Sequence, residues 1–292
     1  MFTNLIIIIL KVIDKIRSRF QFLYITISSR IGDFFKLNPK VIDNQECLIT
    51  DKKRILIIGV ALGDRKNHYN HISSTLSKSE RHEVQQVWAI LKSNSKMKSL
   101  RNVKHIYIDE YIPRTKLINS LFNEHSDKQY DFIIIVDDDI RLHNGFLDKF
   151  INMQDHFDFS IAQPARTIDS TISHEITRQR PDLLARQTLF VEIGPLVSIR
   201  HDAQKLILPL DERSPMGWGL DYVWPHMIQK NNMKMGIIDS VPVAHTLRPV
   251  GESYKPENAY DVMVDYLQTV EHLNEIDAHI VLKNYSKTES VF

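Results

Sequence analysis

Apolar and polar positions alternate in blocks along the first half of the chain. Unbroken apolar runs, such as RILIIGV (54–60) and DFIIIV (131–136), predict strands that are buried on both faces. The strands predicted here are 54–60, 83–91, 103–108 and 131–136, and the helices are 67–79 and 113–125. Strands that alternate with helices predict an α/β sandwich with a mostly parallel sheet.

The pattern is looser in the second half. It predicts helices at 144–157, 219–231 and 258–276 and strands at 158–165, 190–199 and 234–246. The stretch from Arg166 to Arg186 is polar and basic with little periodicity, and it is too long for a plain connection. It is predicted to be a substrate loop, with a helix face solvated by mixed charges as the alternative.

Composition narrows the class of protein. The chain has 292 residues, of which 43% are hydrophobic and 25% charged, so it can bury a full core. We expect one large domain at 51–292 after a leader and linker at 1–50. A net charge of +1 provides no global field for nucleic acid. Cys47 is the only cysteine, which excludes an internal disulfide and favours a reducing, cytoplasmic location.

The first 36 residues differ from the rest by their net charge of +4. Their apolar run, 5–10, is followed by Lys11, so it is too short for a membrane span and lacks the cleavage site of a signal peptide. A basic, apolar helical leader of this kind predicts peripheral contact of residues 1–30 with the inner face of a membrane. Packing on the domain or on a second subunit is the alternative.

Three consecutive carboxylates, Asp137 to Asp139, follow the apolar run of the fourth predicted strand. Ligands of open α/β sheets bind beyond the carboxyl ends of the strands, where these residues are expected. Three like charges are costly unless a cation compensates them, and oxygen ligands favour Mn²⁺ or Mg²⁺. The triplet therefore predicts a metal site, with an exposed acidic turn as the alternative.

The segment IIIVDDDI resembles the Asp-x-Asp motif of GT-A-fold glycosyltransferases, in which a short acidic motif binds the metal and the sugar nucleotide. The segments AQPARTIDSTISHEITRQRPDLLARQTLFVEIGPLVSI, GWGLDYVWP and VAHTLRPVG together resemble the domain-of-unknown-function family numbered 707, which is grouped with GT-A-like transferases. The resemblance covers 54–250 and is strongest over 162–250. It implies a GT-A-like three-layer sandwich with a mostly parallel mixed central sheet.

The resemblance also implies roles for individual residues. Asp139 would ligate the metal directly, Asp137 would face the ribose or a metal-bound water, and Asp138 would lie between them at the cofactor. His245 would complete the metal site. Asp221, in GWGLD, would be the general base that deprotonates the acceptor hydroxyl; the match is partial, because only one acid precedes Tyr222.

Further candidates each have an ordinary structural alternative. The substrate-binding candidates are Trp218 and Gly219, as a wall for a sugar face, and His174 and Arg178, for a phosphorylated group. The cofactor-binding candidates are Gly63 and His68, near the nucleotide base, and Arg248, at the diphosphate. The alternatives are core packing for Trp218 and His245, a helix-terminal charge for Asp221, a strand-to-helix turn at 59–70, and surface charge for the arginines.

These observations predict a metal-dependent, inverting glycosyltransferase of the hexosyltransferase type. Its partners would be a nucleotide-diphosphate sugar donor and a glycan or lipid-linked glycan acceptor, as in cell-surface polysaccharide synthesis, with no nucleic acid. One alternative is a nucleotidyl- or phosphate-processing enzyme, although 59–67 is a poor version of its Gly-rich loop. The other is a non-catalytic glycan- or nucleotide-binding module on the same fold.

Overall fold

The computed structural model of the chain describes residues 51–93, 100–248 and 256–286. The predicted leader, 1–50, lies outside the described residues. The strands are β1 (Arg54–Leu62), β2 (Glu83–Leu91), β3 (Val103–Ile108), β4 (Phe132–Asp137), β5 (Ile161–Arg166), β6 (Leu183–Thr188), β7 (Leu196–Arg200), β8 (Met235–Val243) and β9 (Val281–Ser286). The helices are α1 (Tyr69–Leu76), α2 (Arg114–Asn123), α3 (Phe146–His156), α4 (His201–Ile207), α5 (Leu220–Lys230), α6 (Pro256–Leu267) and α7 (Glu275–Ala278), with a single 3₁₀ turn at Glu175–Thr177.

The described strands form one nine-stranded sheet in the order β3-β2-β1-β4-β7-β5-β8-β6-β9. The half made of β1 to β4 is entirely parallel. In the other half β6 and β7 run against the remaining strands. The predicted mixed sheet with a mostly parallel direction is therefore confirmed.

Strand β4 shows why this sheet is covered on both faces. Its side chains alternate between two cores: Ile133 and Ile135 pack with α2, α4 and α5, whereas Ile134 and Val136 pack with α1 and α3. All four are at most 1% exposed. Neither face of such a strand can be left in water, so helices on both sides complete the predicted three-layer sandwich.

The register of β1 against β4 sets the position of the acidic triplet. Val60 lies opposite Asp137, and β1 continues to Leu62. The carboxyl ends of the two strands therefore meet at one edge of the sheet, where loops from both can form a site.

The prediction of a single irregular loop over 166–186 is wrong at both ends. Arg166 is the last residue of β5, and Arg186 lies inside β6. Arg186 is fully buried and donates two hydrogen bonds to Asp239 of β8, from Nε to Oδ2 at 2.8 Å and from Nη2 to Oδ1 at 2.9 Å. The charged residue that suggested a solvated face is thus one half of an internal ion pair.

The predicted strand over 190–199 is shorter in the structure, and it is followed by a helix that was not predicted. Pairing starts at Leu196, after Pro195, which has no amide hydrogen to donate to a ladder. Helix α4 follows β7 directly.

The predicted C-terminal helix over 258–276 is divided. Helix α6 ends at Leu267, and α7 begins at Glu275 after the N-cap Asn274, whose Oδ1 accepts from the amide of Asp277 at 3.0 Å. Strand β9 was not predicted. Among the described helices, none has the length and apolarity needed to cross a bilayer.

Candidate active site

The carboxylates of the triplet have three different sets of partners. Asp137 pairs with Arg114 in the first turn of α2, with 2.9 Å between Nη2 and Oδ1. Asp138 bonds to the last residue of β1 and to Arg248, whereas Asp139 faces His245 and Arg248. Each acid therefore has a cationic neighbour, which offsets the repulsion between three like charges.

Asp138 is nearly fully buried and connects three segments. Its Oδ2 accepts from the amide of Leu62 at 2.7 Å, its carbonyl accepts from the amide of His68 at 2.6 Å, and its Oδ1 accepts from Arg248. Burial raises the pKa of Asp138 to about 6, although the hydrogen bond from Arg248 opposes the shift. Both oxygens of this carboxylate are engaged within the protein, and its predicted contact with a cofactor stays a prediction.

Asp139 and His245 come together as the sequence predicted. The distance between His245 Nε2 and Asp139 Oδ2 is 3.3 Å, and Arg248 Nη2 lies 3.2 Å from the same oxygen. Burial alone would raise the pKa of Asp139, but His245 and Arg248 hold it below its ordinary value. The carboxylate is therefore ionised across the physiological range.

The same pair offers two donor atoms to a divalent cation. Asp139 Oδ1 and His245 Nδ1 are buried without a hydrogen-bond partner among the described residues. The backbone of His245 is fixed, since its amide donates to Ser170 Oγ at 2.9 Å and its carbonyl accepts from Thr171 at 2.9 Å. One carboxylate and one imidazole form a donor set that suits Mn²⁺.

Asp137 is held against the loop that precedes β7. Its amide donates to Pro195 at 2.8 Å, and Arg114 also approaches it through Nε, at 3.3 Å from Oδ1. A Cβ atom on Gly194 would lie 2.9 Å from Asp137 Oδ2. Gly194 therefore permits this loop to close on the ion pair.

The Gly-Trp-Gly segment bends into α5 through two left-handed residues. Gly217 has φ +85° and Gly219 has φ +92°, which a residue with a Cβ adopts only at a cost. Gly219 is the N-cap of α5, so Asp221 lies in the first helical turn. The helix dipole favours an acid there.

Asp221 is buried, and its Oδ1 has no hydrogen-bond partner within the described part of the chain. Burial raises the pKa of Asp221 to about 8, and the negative charge of Glu192 adds to the shift. A carboxylate with this pKa can accept a proton near neutral pH.

Glu192 and Arg166 belong to the site, and sequence analysis missed both in this role. Arg166 Nη2 donates to Glu192 Oε2 at 2.5 Å and to the carbonyl of Gly194 at 2.9 Å. Arg166 thereby connects the surroundings of Asp221 to the loop beside Asp137. No local pattern signals these contacts, because the partners are 26 and 28 residues apart in sequence.

The two residues predicted at the nucleotide base have different surroundings. His68 is half-buried near Asp139 and Arg141, and burial lowers its pKa. The amide of Gly63 donates to Leu91 at 2.7 Å, and a Cβ at this position would lie 2.5 Å from the Cβ of Ser93. The structure therefore brings His68 to the triplet, and it explains Gly63 by the close approach of two loops.

The remaining predicted residues contact other parts of the protein. Trp218 is half-buried, and its carbonyl accepts from Ser214 Oγ at 2.7 Å. Arg178 pairs with Glu175 at 2.8 Å within its own loop. The ring of His174 lies 4.6 Å from that of Phe190, centroid to centroid. Their predicted contacts with substrate stay predictions.

Comparisons with known proteins identify the fold. No protein-family model matches this chain, and a search of curated proteins by sequence also finds no match. The crystal structure of GalNAc-T7 with UDP, GalNAc and Mn²⁺ is similar with a TM-score of 0.57 and 10% identity, over 83% of this chain and 53% of that one. This chain thus spans about half the length of GalNAc-T7.

A second similar structure is S. aureus TarS 1-349 in complex with UDP-GlcNAc. Its TM-score is 0.51 at 14% identity, over 76% of this chain and 68% of the TarS chain. Together with the nine-stranded sheet, these likenesses show that the chain has the mixed α/β fold of GT-A glycosyltransferases.

Proposed function

We propose that this protein is a metal-dependent, inverting glycosyltransferase that moves a sugar from a nucleotide-diphosphate sugar to an acceptor hydroxyl. The observation that carries the proposal is the pair Asp139, after β4, and His245, after β8, whose side chains approach to 3.3 Å in a GT-A fold. It is supported by the two similar structures, which hold UDP or UDP-GlcNAc, one of them with Mn²⁺. The proposal includes membership of the family numbered 707, since two of the motifs that resemble it contain Asp221 and His245.

Asp139 and His245 would hold Mn²⁺ or Mg²⁺, and Asp137 would contribute through a bound water. When bound, such a cation stabilises the charge that accumulates on a leaving diphosphate. Arg248 touches both Asp138 and Asp139, so its guanidinium lies where phosphate oxygens of a donor would approach the site. In this proposal Arg248 exchanges carboxylate contacts for bidentate contacts to the diphosphate.

Asp221 would take the proton from the acceptor hydroxyl. Its unpartnered Oδ1 suits that task, as does its pKa, which is raised by burial and further by the negative charge of Glu192. Attack by an acceptor held on the face of the sugar opposite the leaving group inverts the anomeric centre. Trp218 and Gly219, which precede Asp221 in sequence, would form the wall for the acceptor sugar, and Arg178 would bind a phosphorylated group.

Asp138, Gly63 and His68 would line the nucleotide side of the site. The carboxylate of Asp138 accepts from Leu62, which precedes Gly63, and the carbonyl of Asp138 accepts from His68. The acceptor is proposed to be a glycan or lipid-linked glycan in cell-surface polysaccharide synthesis. Contact of residues 1–30 with the cytoplasmic face of the membrane is part of the same proposal.

A screen of nucleotide-diphosphate sugars with Mn²⁺ tests the proposal. A donor that binds the folded chain should raise Tm, and Mn²⁺-dependent release of the nucleoside diphosphate should follow. Asp139→Asn and His245→Asn should abolish both effects, while Asp182→Asn, which changes an exposed carboxylate, should abolish neither. Binding without turnover would instead indicate a non-catalytic module, and an absence of any nucleotide-dependent shift would overturn the assignment.

A further inference from the structure

A second cluster of metal-ligating side chains lies away from the acidic triplet. His174, Glu275 and His279 each present a ligand atom, and these atoms all lie within 4.8 Å of one another. The first residue precedes the 3₁₀ turn, whereas the other two belong to α7 and its C-cap. Segments about a hundred residues apart in sequence are therefore joined at this point.

The helical pair has the spacing that two ligands of one ion require. Glu275 and His279 are four residues apart, and the amide of His279 donates to the carbonyl of Glu275 at 3.1 Å, so one turn of helix places both side chains on one face. His174 approaches from the facing loop, with its ring 5.2 Å from that of His279 at an angle of 76°. The three side chains thus converge from two sides.

The two imidazoles have unmet hydrogen-bonding capacity. His174 Nδ1 and His279 Nε2 are buried with no hydrogen-bond partner among the described residues. Phe190 packs against both rings, at 4.6 Å and 4.8 Å between centroids, and excludes water from one side. Burying two polar nitrogens without hydrogen bonds is unfavourable unless a ligand binds them.

We propose that His174, Glu275 and His279 bind one Zn²⁺ ion at a site separate from that of Asp139 and His245. Two imidazoles and one carboxylate form a three-ligand zinc set that leaves a fourth position for water. Ligand atoms of a tetrahedral zinc ion lie about 3.3 Å apart, so small side-chain rotations complete the site. Mg²⁺ and Ca²⁺ prefer sites made of oxygen alone.

The ion would fasten the C-terminal segment to the body of the domain. Phe190 and Tyr222 lie beneath the cluster, with 5.6 Å between their centroids, and the carbonyl of Tyr222 accepts from the amide of Leu273 at 3.0 Å. Tyr222 adjoins Asp221, so the zinc site would steady the helix that carries the proposed base. The zinc site does not depend on the proposed transfer reaction, and its test involves no sugar nucleotide.

The test counts zinc on the full-length chain. The protein is stripped of metal with a chelator, reloaded with Zn²⁺ and desalted, and native mass spectrometry then gives the number of bound zinc ions. In a second measurement Co²⁺ replaces Zn²⁺, and its visible absorption reports tetrahedral nitrogen ligation. We expect wild type and Asp139→Asn to retain a zinc ion that His174→Ala and Glu275→Gln lose. His272→Ala, which changes an exposed histidine of the same segment, should retain it.

Glu275 is exposed, so Glu275→Gln should fold like wild type, and an unchanged Tm of the metal-free protein would verify this. Zn²⁺ should then raise the Tm of wild type and leave that of Glu275→Gln unchanged. The proposal would be overturned by a wild type that retains no zinc, by zinc counts in His174→Ala and Glu275→Gln that equal the wild-type count, or by loss of this zinc in Asp139→Asn.

Discussion

At the scale of single residues, the raised pKa of Asp221 suits the proposed role as a base but lowers the stability of the folded chain at neutral pH. The folded chain raises its pKa from 3.8 to about 8, so its contribution to stability is fully present below pH 3.8 and is lost as the pH rises to 8. Asp221→Asn is neutral at every pH and avoids this loss. We expect the variant's Tm to exceed that of wild type by a margin that grows with pH, to about 5 °C at pH 8.

Thermal unfolding between pH 5 and pH 9 measures this margin. Asp265→Asn, at an exposed carboxylate of α6, is the matched control and should differ from wild type by a constant amount. Parallel pH curves for Asp221→Asn and wild type would show that Asp221 ionises normally in the folded chain.

The same pKa predicts the pH dependence of transfer. A base must be deprotonated, so kcat/KM at saturating Mn²⁺ should rise about tenfold per pH unit up to about pH 8 and then level off. Initial rates of nucleoside diphosphate release measure the profile. Asp265→Asn should reproduce it, and Asp221→Asn should have no measurable activity. A wild-type rate that is constant from pH 6 to pH 8 would exclude a base with a pKa of about 8.

Single residues could be predicted from sequence where a local pattern marks them. Asp139 follows an apolar run and His245 follows another, so both were expected at strand ends, and the structure brings them together. Arg114 and Glu192 could not be predicted in the same way. Their roles depend on contacts to Asp137 and Arg166 across the fold, and sequence spacing does not reveal which surface charge is turned inward.

At the scale of elements, two helices that start at a left-handed glycine allow a matched comparison. Gly145 before α3 has φ +68° and nothing within 4 Å of an added Cβ, whereas at Gly219 a Cβ would lie 3.0 Å from Met263. We expect Gly145→Ala to cost about 1–2 kcal/mol through backbone strain alone. Gly219→Ala should cost more, and it alone should lower kcat, because Asp221 is two residues away.

Urea unfolding and initial rates separate these two effects. Equal costs would mean that Met263 moves aside freely. Unchanged activity in Gly219→Ala would contradict the role given to the start of α5.

The ion pair that joins β6 to β8 should dominate the stability of that half of the sheet. Arg186 and Asp239 are both 0% exposed in their side chains, so Arg186→Met would leave a buried carboxylate without its partner and cost about 3–5 kcal/mol. The double variant Arg186→Met with Asp239→Leu should recover much of this loss. Chemical denaturation measures both, and Asp158→Asn at the more exposed pair with Arg200 should cost under about 1 kcal/mol.

The same ion pair explains which elements could be predicted. The bounds of β2 and β3 match the predicted ranges, because β-branched and aromatic residues within each range mark the strand locally. Strand β6 could not be predicted, because it contains Arg186, and the residue that neutralises this charge, Asp239, is 53 positions further along the chain. Strand β9 reads as polar for another reason: it is an edge strand with exposed residues such as Lys283 and Asn284.

At the scale of the whole molecule, charge is distributed unevenly along the chain. The first 36 residues carry +4 and the total is +1, so the remaining residues carry −3. The residues after the leader therefore have no net attraction to an anionic surface, and Arg114, Arg166 and Arg186 of the described domain are committed to internal pairs. Any affinity for anionic lipid must reside in the leader, which lies outside the described residues.

This distribution predicts that the full chain binds vesicles containing phosphatidylserine and that a chain lacking residues 1–30 does not. Binding should weaken strongly between about 0.05 M and 0.5 M salt, because salt screens the attraction between the basic residues and the lipid. Weaker binding should persist at high salt through the apolar run 5–10. Co-sedimentation with phosphatidylserine vesicles, and with neutral phosphatidylcholine vesicles as the control, measures both terms. If the truncated chain partitions like the full one, the leader is a packing element of the protein, and the proposed acceptor must be reached without it.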